Sequence, residues 1–227
     1  MKNLIALTTL FLVCFSGFSQ NLEEDKLWRT KGVYDSLGNF VERAKIQSFL
    51  YTSKPDKLIR LSTKDRMNME TGETKVFVYT DTLTLKPTKE NTFTLNDKEQ
   101  LTIHSKDSLT IHFNGYVLPY VKLTQKANAV KLNTFKTKFV NVTFIESVAG
   151  KKEYELTYQD TNLVKVVPLQ SSSQWESDYK IIDFNGFIII QGIVSAPKLI
   201  TDLKNGNIYF SQIDYRFENT TGELIKK

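Results

Sequence analysis

The stretch Tyr179-Lys180-Ile181-Ile182-Asp183-Phe184-Asn185-Gly186-Phe187-Ile188-Ile189-Ile190 decides the fold of this chain. Its centre, Asn185-Gly186, is a strong signal for a tight hairpin turn, because both residues tolerate the positive φ angles of a type I′ turn. The last four residues are all apolar, which is typical of a strand buried on both faces. The sequence therefore predicts a hairpin central to the fold, with Tyr179, Phe184 and Phe187 in its core.

Outward from this hairpin, the chain shows the same two-residue period. Thr82-Leu83-Thr84-Leu85 and Thr92-Phe93-Thr94-Leu95 alternate polar and apolar residues, as strands with one buried and one wet face do. Two more Asn-Gly pairs follow at residues 114–115 and 205–206. The short spacing leaves no room for crossover helices, so we predict an antiparallel all-β fold, either a barrel or a β-sandwich of many short strands. Short helices at residues 21–27 and 57–68 are the only exceptions expected.

The N-terminus has the pattern of a cleavable signal peptide. Lys2 precedes an apolar run from Leu4 to Phe15, and Gly17 and Ser19 fill the small positions of a cleavage site. The run is too short to span a bilayer, so we expect cleavage after Ser19 and no transmembrane helix in the mature chain. The alternative is lipidation of Cys14, the one cysteine of the chain. The expected location is outside the cytoplasm: periplasm, cell surface or medium.

The mature chain, residues 20–227, is long enough for one large all-β domain. The alternative is two β halves, residues 20–125 and 126–227. A repeat would support that alternative: Trp28 and Trp175 are each followed twelve residues later by a phenylalanine, Phe40 and Phe187, across a turn. In that interpretation each tryptophan opens the first strand of a half.

A tryptophan on the first strand, followed by many up-and-down strands, resembles the lipocalin-like (calycin) barrels of secreted bacterial proteins. The similar part runs from Trp28 to Leu123, where the strand at residues 116–123 would close the barrel. The resemblance implies a lipocalin-like barrel fold. The Gly-x-Trp start of that family is replaced by Lys26-Leu27-Trp28, so the resemblance implies no ligand residues.

Charge gives little indication of a partner. The chain has 30 Lys and Arg against 25 Asp and Glu, a mild excess. No acidic residue lies between Asp107 and Glu146, a stretch that contains five lysines: Lys122, Lys126, Lys131, Lys136 and Lys138. Such a stretch is either a solvated face or a surface that attracts anionic lipid headgroups or glycans. Aromatic residues are sparse beside these lysines, so no nucleic acid is expected as a partner.

The two histidines, His104 and His112, lie in a local duplication of Leu-Thr-Ile-His. A hairpin register that pairs His104 with Thr110 and Thr102 with His112 would place both imidazoles diagonally on one polar face. A zinc site would need further ligands, and no recognisable spacing supplies them. We therefore expect two solvent-facing histidines and no metal.

The sequence contains no catalytic or cofactor motif. A Gly-x-Ser-x-Gly elbow and a phosphate-cradling loop are absent from it. A pair of catalytic carboxylates, as in a glycoside hydrolase, leaves no spacing signal in a sequence. The candidates for such a pair are the acids nearest aromatic residues: Glu42, Asp178 and Asp183. A hydrolase is thus the third hypothesis, and no cofactor is expected.

Aromatic residues are plentiful, with 15 Phe, 10 Tyr and 2 Trp. Tyr and Trp give a ligand pocket apolar area with a polar tip, but they also serve as core anchors of strands. We hypothesise an exported, non-enzymatic barrel that binds a small apolar ligand or lipid. The alternative is an envelope structural or interaction module for a protein or polysaccharide partner. The candidate ligand-binding residues are Trp28, Tyr34, Tyr79, Trp175 and Tyr179.

Overall fold

The computed structural model describes residues 22–41, 49–67, 74–123, 131–192, 196–213 and 218–227, including the side chains of all these except 62–67, 74–78 and 213. The predicted signal peptide and Cys14 lie outside the described residues.

The strands of the first half are β1 Lys26–Thr30, β2 Tyr34–Asp35, β3 Phe49–Lys54, β4 Lys57–Met67, β5 Thr74–Lys89, β6 Thr92–Leu95, β7 Glu99–Ser105, β8 Ser108–Phe113 and β9 Tyr116–Lys122. Helix α1, Leu132–Phe139, follows, and then β10 Val142–Val148, β11 Lys151–Tyr158, β12 Leu163–Pro168, β13 Trp175–Phe184, β14 Phe187–Gly192, β15 Lys198–Lys204, β16 Asn207–Ile213 and β17 Asn219–Lys226.

The first half forms a closed antiparallel barrel of eight strands in the order β1-β3-β4-β5-β6-β7-β8-β9. Closure comes from the β1–β9 ladder, in which Trp28 lies opposite Lys122 and Thr30 opposite Tyr120. The short strand β2 pairs with Tyr116 and Val117 of β9, beyond the residues of β9 that pair with β1. The predicted closing strand at residues 116–123 is therefore confirmed, and the barrel alternative holds over the sandwich.

The second half is also a closed barrel, with β10 to β17 paired in chain order and β17 returning to β10. The Asn-Gly hairpins predicted from the sequence are present: Asn185 and Asn205 adopt positive φ, as do the glycines that follow them. In the first barrel Asn114 and Gly115 do the same between β8 and β9. The all-β, antiparallel prediction is confirmed.

Each barrel is covered at the end where its first strand begins. Helix α1 precedes β10 and inserts Phe135 and Phe139 into the core of the second barrel, where both are fully buried. Leu22, which precedes β1, is buried in the core of the first barrel. Burial of two phenylalanines gives α1 about 3–6 kcal/mol of hydrophobic stabilisation, which an isolated eight-residue helix lacks.

The two barrels pack side by side through the outer faces of their sheets. Tyr51 of β3 stacks on Phe184 of β13 with ring centroids 4.8 Å apart. Strand β14 alternates between the two cores: Ile188 and Ile190 point into the second barrel, whereas Phe187 and Ile189 point at the first. The strand predicted to be buried on both faces is thus buried between two barrels. The shared cluster consists of Leu27, Phe49, Tyr51, Leu61, Ile182, Phe184, Phe187, Ile189 and Leu199.

Two expected helices and one expected strand assignment are wrong. Residues 57–67, expected as a helix, are strand β4, because a ladder to β5 pairs the whole segment and a ladder to β3 pairs residues 57–60. Residues 26 and 27 likewise belong to β1 and not to a helix. Trp175 does not open the first strand of a half: it begins β13, the fourth strand of the second barrel, and the aromatic residue on the first strand there is Phe144.

The register of the histidine hairpin is shifted by two residues from the one expected. Thr102 pairs with Thr110 and Ile103 with Leu109. A tight turn at residues 106–107, with the Ser105 and Ser108 hydroxyls 3.0 Å apart, replaces the wider loop. A shift of two keeps every side chain on its own face, so polarity could not distinguish the two registers.

Candidate functional site

The inward row of β13 runs from the rim of the second barrel into its core. Side chains alternate along a strand, so Trp175, Ser177 and Tyr179 share the inward face. Trp175 is 38% exposed, Ser177 is buried, and Tyr179 belongs to the barrel core. This row passes from an exposed aromatic ring through a hydroxyl to a buried aromatic ring.

A buried ion pair crosses the lumen of the same barrel. Lys198 Nζ of β15 lies 2.7 Å from Glu146 Oε1 of β10, and the two side chains are only 2% and 4% exposed. Strands β16 and β17 separate β15 from β10, so the pair spans the interior. Lys198 Nζ also lies 5.3 Å from the centre of the Phe210 ring. The Lys198 ammonium and the Glu146 carboxylate therefore compensate each other's charge while both are buried away from water.

Two further polar side chains, Gln212 and Ser177, are buried in the same barrel. The ladder that joins Leu199 to Ser211 and Ile200 to Phe210 puts Gln212 opposite Lys198. Gln212 Oε1 and Ser177 Oγ form no hydrogen bond with any residue that the structure describes, although both side chains are more than nine-tenths buried. An unpaired buried polar atom costs about 1–3 kcal/mol, so such atoms normally have a partner.

The rim above these residues is aromatic. The rings of Tyr154 and Trp175 meet edge to face with centroids 6.3 Å apart. Tyr154 lies opposite Glu146 in the β10–β11 ladder, so the rim connects directly to the buried pair. A groove of about 220 Å³ is lined by Lys151, Glu153, Tyr154, Pro168 and Gln170. We call Tyr154, Pro168 and Trp175, with this groove, the mouth of the second barrel.

The floor of the second barrel is closed by aromatic rings. The Phe139 and Tyr158 ring centroids are 4.0 Å apart, and Tyr158 meets Tyr179 edge to face at 5.0 Å. Burial raises the pKa of the Tyr158 phenol well above 10, and the negative charge of Glu146 raises it further. The Tyr179 hydroxyl donates a hydrogen bond of 2.6 Å to the Gln159 carbonyl. The lower half of this lumen is therefore filled and neutral.

The first barrel has a comparable mouth at the end opposite Leu22. Tyr79 of β5, Phe113 of β8 and Tyr116 of β9 lie on the inward rows of their strands and are partly exposed. Beneath them the Arg60 guanidinium lies 2.7 Å and 2.8 Å from the two carboxylate oxygens of Glu99. We call Tyr79, Phe113 and Tyr116 the mouth of the first barrel.

The five predicted ligand residues are divided between the barrels and do not form one site. Trp28 is a core anchor of the first barrel, and its Nε1 donates a hydrogen bond of 2.8 Å to Thr52 Oγ1. Tyr34 lies on β2, where its ring meets Phe40 edge to face at 5.8 Å. Tyr179 is a core residue of the second barrel. Only Tyr79 and Trp175 lie at a mouth, and both occupy the fourth strand of their barrel.

The histidines do not converge. In the observed register His112 lies opposite Gln100. His104 is thus four residues along its strand from the position opposite His112, a separation of about 13 Å. His104 Nε2 is within 2.7 Å of Thr110 Oγ1. Among the described residues, no three side chains of His, Cys, Asp or Glu come together as a metal site.

Of the acids considered for a hydrolase, the two that the structure describes, Asp178 and Asp183, do not form a pair. Asp178 and Asp183 lie five residues apart on β13, which is about 17 Å, beyond the 5–10 Å that glycosidase carboxylates need. Asp183 instead accepts a hydrogen bond of 2.7 Å from the Gly186 amide in the turn. Glu42 lies outside the described residues.

The lysine-rich stretch does not form one surface. Lys122 is only 10% exposed, and its ammonium lies 2.7 Å from Asp107 and 3.4 Å from Glu23. These contacts, chiefly the hydrogen bond to Asp107, raise the pKa of Lys122. Lys131, Lys136 and Lys138 are exposed around α1, and Lys126 lies outside the described residues.

The residues that the sequence did not reveal are the buried charges and α1. Glu146 follows Phe144 by two positions, so alternation places it on the inward row, but a charged residue on a strand is normally assigned to solvent. The helix had a visible signal: Leu132, Phe135 and Phe139 are spaced three and four residues apart, the period of one helix face.

No protein-family model matches this chain, and no curated protein is detectably similar to it in sequence. In the part of the chain that the structure describes, no helix has the length and apolar character needed to span a bilayer.

Proposed function

We propose that this protein is an exported, non-enzymatic binding protein whose second barrel takes a small, largely apolar ligand or lipid with a polar end. The ligand enters at the mouth formed by Tyr154, Pro168 and Trp175. The observation that supports this proposal best is the pair of buried, unpartnered polar atoms: Ser177 Oγ, two residues along β13 from the exposed Trp175, and Gln212 Oε1, opposite Lys198.

The polar and aromatic groups of the second barrel's lumen limit the chemical class of ligand that it can bind. Gln212 Oε1 accepts hydrogen bonds and Ser177 Oγ both donates and accepts, so the inner end of the ligand carries a hydroxyl, amide or amine. The aromatic rim suits an apolar body. Because the lower half of the lumen is filled by Phe139, Tyr158 and Tyr179, the ligand is short or leaves its tail outside.

Lipid extraction and mass spectrometry of natively purified protein test the proposal. We expect a co-purifying small molecule whose amount falls in Trp175→Ala and in Gln212→Leu, since the first removes the rim ring and the second the buried acceptor. Leu37→Ala is the matched control: Leu37 is 84% exposed on the first barrel, and its loss should leave the ligand content unchanged. Equal ligand content in all three variants, or none in the parent protein, would contradict the proposal.

The export part of the proposal rests on residues 1–19. Intact-mass measurement of protein recovered from the envelope or medium of its host should give a chain that begins at Gln20. A chain that retains Met1-Lys2-Asn3 in the cytoplasmic fraction would overturn export while leaving the binding proposal in place.

A further inference from the structure

The β4–β5 hairpin continues past the end of its neighbour, β6. Strands β4 and β5 pair with each other along the whole length of β4. Strand β6 pairs with β5 only from Leu85 onward. In the part of the chain that the structure describes, no strand pairs with residues 74–84 on the side of β5 that faces away from β4. We call residues 74–81 on that side the open edge of β5.

Every second residue of β5 turns its backbone groups toward this side. The Leu85 amide donates a hydrogen bond of 2.8 Å to the Asp56 carbonyl, on the β4 side. The neighbouring Thr84 amide donates instead to Asn96 Oδ1 at 3.2 Å, on the β6 side. Asn96 Nδ2 also donates to the Thr82 carbonyl at 3.5 Å, so this side chain takes the place of a strand partner. Because successive residues of a strand turn their amides and carbonyls to opposite sides, the even-numbered residues of the open edge face outward.

The open edge is suited to receive a further strand. Unpaired amides and carbonyls at the border of a sheet recruit another extended chain. Six of the eight residues of the open edge are β-branched or aromatic, the types that favour strands. Solvent reaches the edge around Tyr79, which is 38% exposed, and around Thr80, which is exposed as well. An occupant of this edge is therefore an extended segment with complementary side chains.

The open edge is complementary to a second copy of itself. When two copies pair antiparallel about Val78, Lys75 of each lies opposite Asp81 of the other. Phe77 of each lies opposite Tyr79 of the other in the same register. Pairs of opposite charge and pairs of aromatic residues are both favourable across strands. Because the amide and carbonyl of Val78 face the open edge in both copies, the backbone ladder and these side-chain pairs form together.

The charges within one copy favour the same register. Positions 66 and 75, which lie opposite each other in the β4–β5 ladder, both hold basic residues, Arg66 and Lys75. Like charges directly opposite each other destabilise a ladder, so an acidic residue added beside them is favourable. Asp81 keeps its 3.7 Å contact with Arg60 in this arrangement, because a carboxylate has two acceptor oxygens.

We infer that this protein forms a two-fold symmetric dimer through the open edge of β5, with Val78 at the axis. The partner is a second copy, since the same eight residues supply both sides of every pair. The symmetry repeats the pairing of Lys75 with Asp81 on each side of the axis. This interface is separate from the mouth of the second barrel and does not depend on the proposed function.

Sedimentation velocity of the mature chain over a range of concentrations tests this inference. The parent protein should dimerise as its concentration rises. Asp81→Lys and Lys75→Asp should each raise the dimer dissociation constant by about tenfold or more, because each places like charges opposite each other on both sides of the axis. An equimolar mixture of the two variants restores opposite charges at both positions and should dimerise as the parent does. Asp160→Lys, the same change at an exposed turn of the second barrel, is the matched control and should leave dimerisation unchanged.

Thr80→Pro tests the backbone part of the interface. The Thr80 amide faces the open edge and not β4, so proline at this position removes a bond between copies and leaves the barrel ladder intact. The circular dichroism of Thr80→Pro should match that of the parent protein, while its dimer is lost. A parent protein that stays monomeric at every concentration would overturn the inference. So would a dimer retained in both charge variants, or a mixture of the two that stays monomeric.

Discussion

Gly222 shows how a single residue sets the packing of the second barrel. It lies on β17 opposite Phe210, and a Cβ added there would lie 2.3 Å from Phe210 Cζ and 2.8 Å from the Ser147 carbonyl oxygen. The Phe210 ring fills the volume that any other residue would need. Phe210 in turn lies against Lys198, so the glycine is part of what positions the buried ion pair.

Gly222→Ala should therefore destabilise the protein by about 1–3 kcal/mol, since overpacking forces the ring and the backbone apart. Urea unfolding measures the change. The matched control is Gly192→Ala, where the nearest atom to the added Cβ is 3.8 Å away, an ordinary contact. Equal effects of the two substitutions would show that the Phe210 contact does not limit packing.

The Glu146–Lys198 pair gives a second prediction for single residues. Glu146→Gln leaves the Lys198 ammonium buried without its counter-charge and should cost about 3–5 kcal/mol. Glu146→Leu combined with Lys198→Met removes both charges and should recover most of that loss. The exposed pair Lys86–Asp97 is the control, because Asp97→Asn there should change stability by less than about 1 kcal/mol. A double variant no more stable than Glu146→Gln would contradict this account.

The sequence identified some of these residues and missed others, and the way in which each residue is buried explains the difference. Trp175 and Tyr79 were identified as candidates because aromatic residues with polar tips are common at sites. Glu146, Lys198 and Gln212 were not identified, because their burial depends on which strands lie across the lumen. The arrangement of strands across the lumen leaves no signal in the local alternation of polar and apolar residues.

At the level of secondary-structure elements, helix α1 stabilises the second barrel by inserting two phenylalanines into its core. Phe139 has ring contacts with Phe135, Phe144, Tyr158 and Tyr179. Phe139→Ala should cost about 3–5 kcal/mol in free energy of unfolding, because it leaves a cavity at the covered end of the barrel. Asn133→Ala, at an exposed position of the same helix, should have little effect. Thermal unfolding followed by circular dichroism distinguishes the two, and a small loss for Phe139→Ala would mean that α1 is dispensable.

The strands themselves were largely predictable, and the helix was not found. Hairpins marked by Asn-Gly and by alternation were confirmed, since turn chemistry and period are local properties. The register of the His104 and His112 hairpin was wrong because it is set by the length of its turn. The 57–67 helix was wrong because pairing with β5 along the whole segment outweighs local preference.

Across the whole molecule, buried tyrosines make stability sensitive to alkaline pH. Burial raises the pKa of Tyr179 to about 12, and burial also raises the pKa of Tyr158 well above its ordinary value of 10.0. The unfolded chain releases these protons near pH 10, whereas the folded chain retains them. The free energy of unfolding is therefore unaffected below pH 10 and falls as the pH rises above it. Urea midpoints between pH 8 and 11.5 should decline, and less steeply in Tyr179→Phe than in Tyr116→Phe; equal slopes would contradict this.

The shared cluster between the barrels predicts that the two halves unfold together. Nine side chains are buried there, so separating the barrels exposes a large apolar surface. The chain offers one tryptophan in each barrel as a reporter. In Trp175→Phe, the fluorescence of Trp28 should follow the same urea transition as circular dichroism of the whole molecule. Two separated transitions would show that the barrels are independent domains.

The duplicated architecture was only partly predictable. A division near residue 126 was one of two alternatives from the sequence, and its tryptophan alignment was wrong. Closure of each sheet depends on the meeting of first and last strands, β1 with β9 and β10 with β17. Those contacts join residues 90 to 94 positions apart in the first barrel and 74 to 82 positions apart in the second, beyond the range of any local pattern.

Closure of both sheets affects where this protein can self-associate at high concentration. A strand at an open sheet border presents unsatisfied amides and carbonyls that template fibrils and runaway self-association. Here β1 pairs with β9 and β10 pairs with β17, so neither barrel has an open seam between its first and last strands. Among the described pairings, however, residues 61–67 of β4 and 74–84 of β5 form a ladder only with each other. Self-association through the backbone should therefore start at this β4–β5 hairpin and not at a barrel seam.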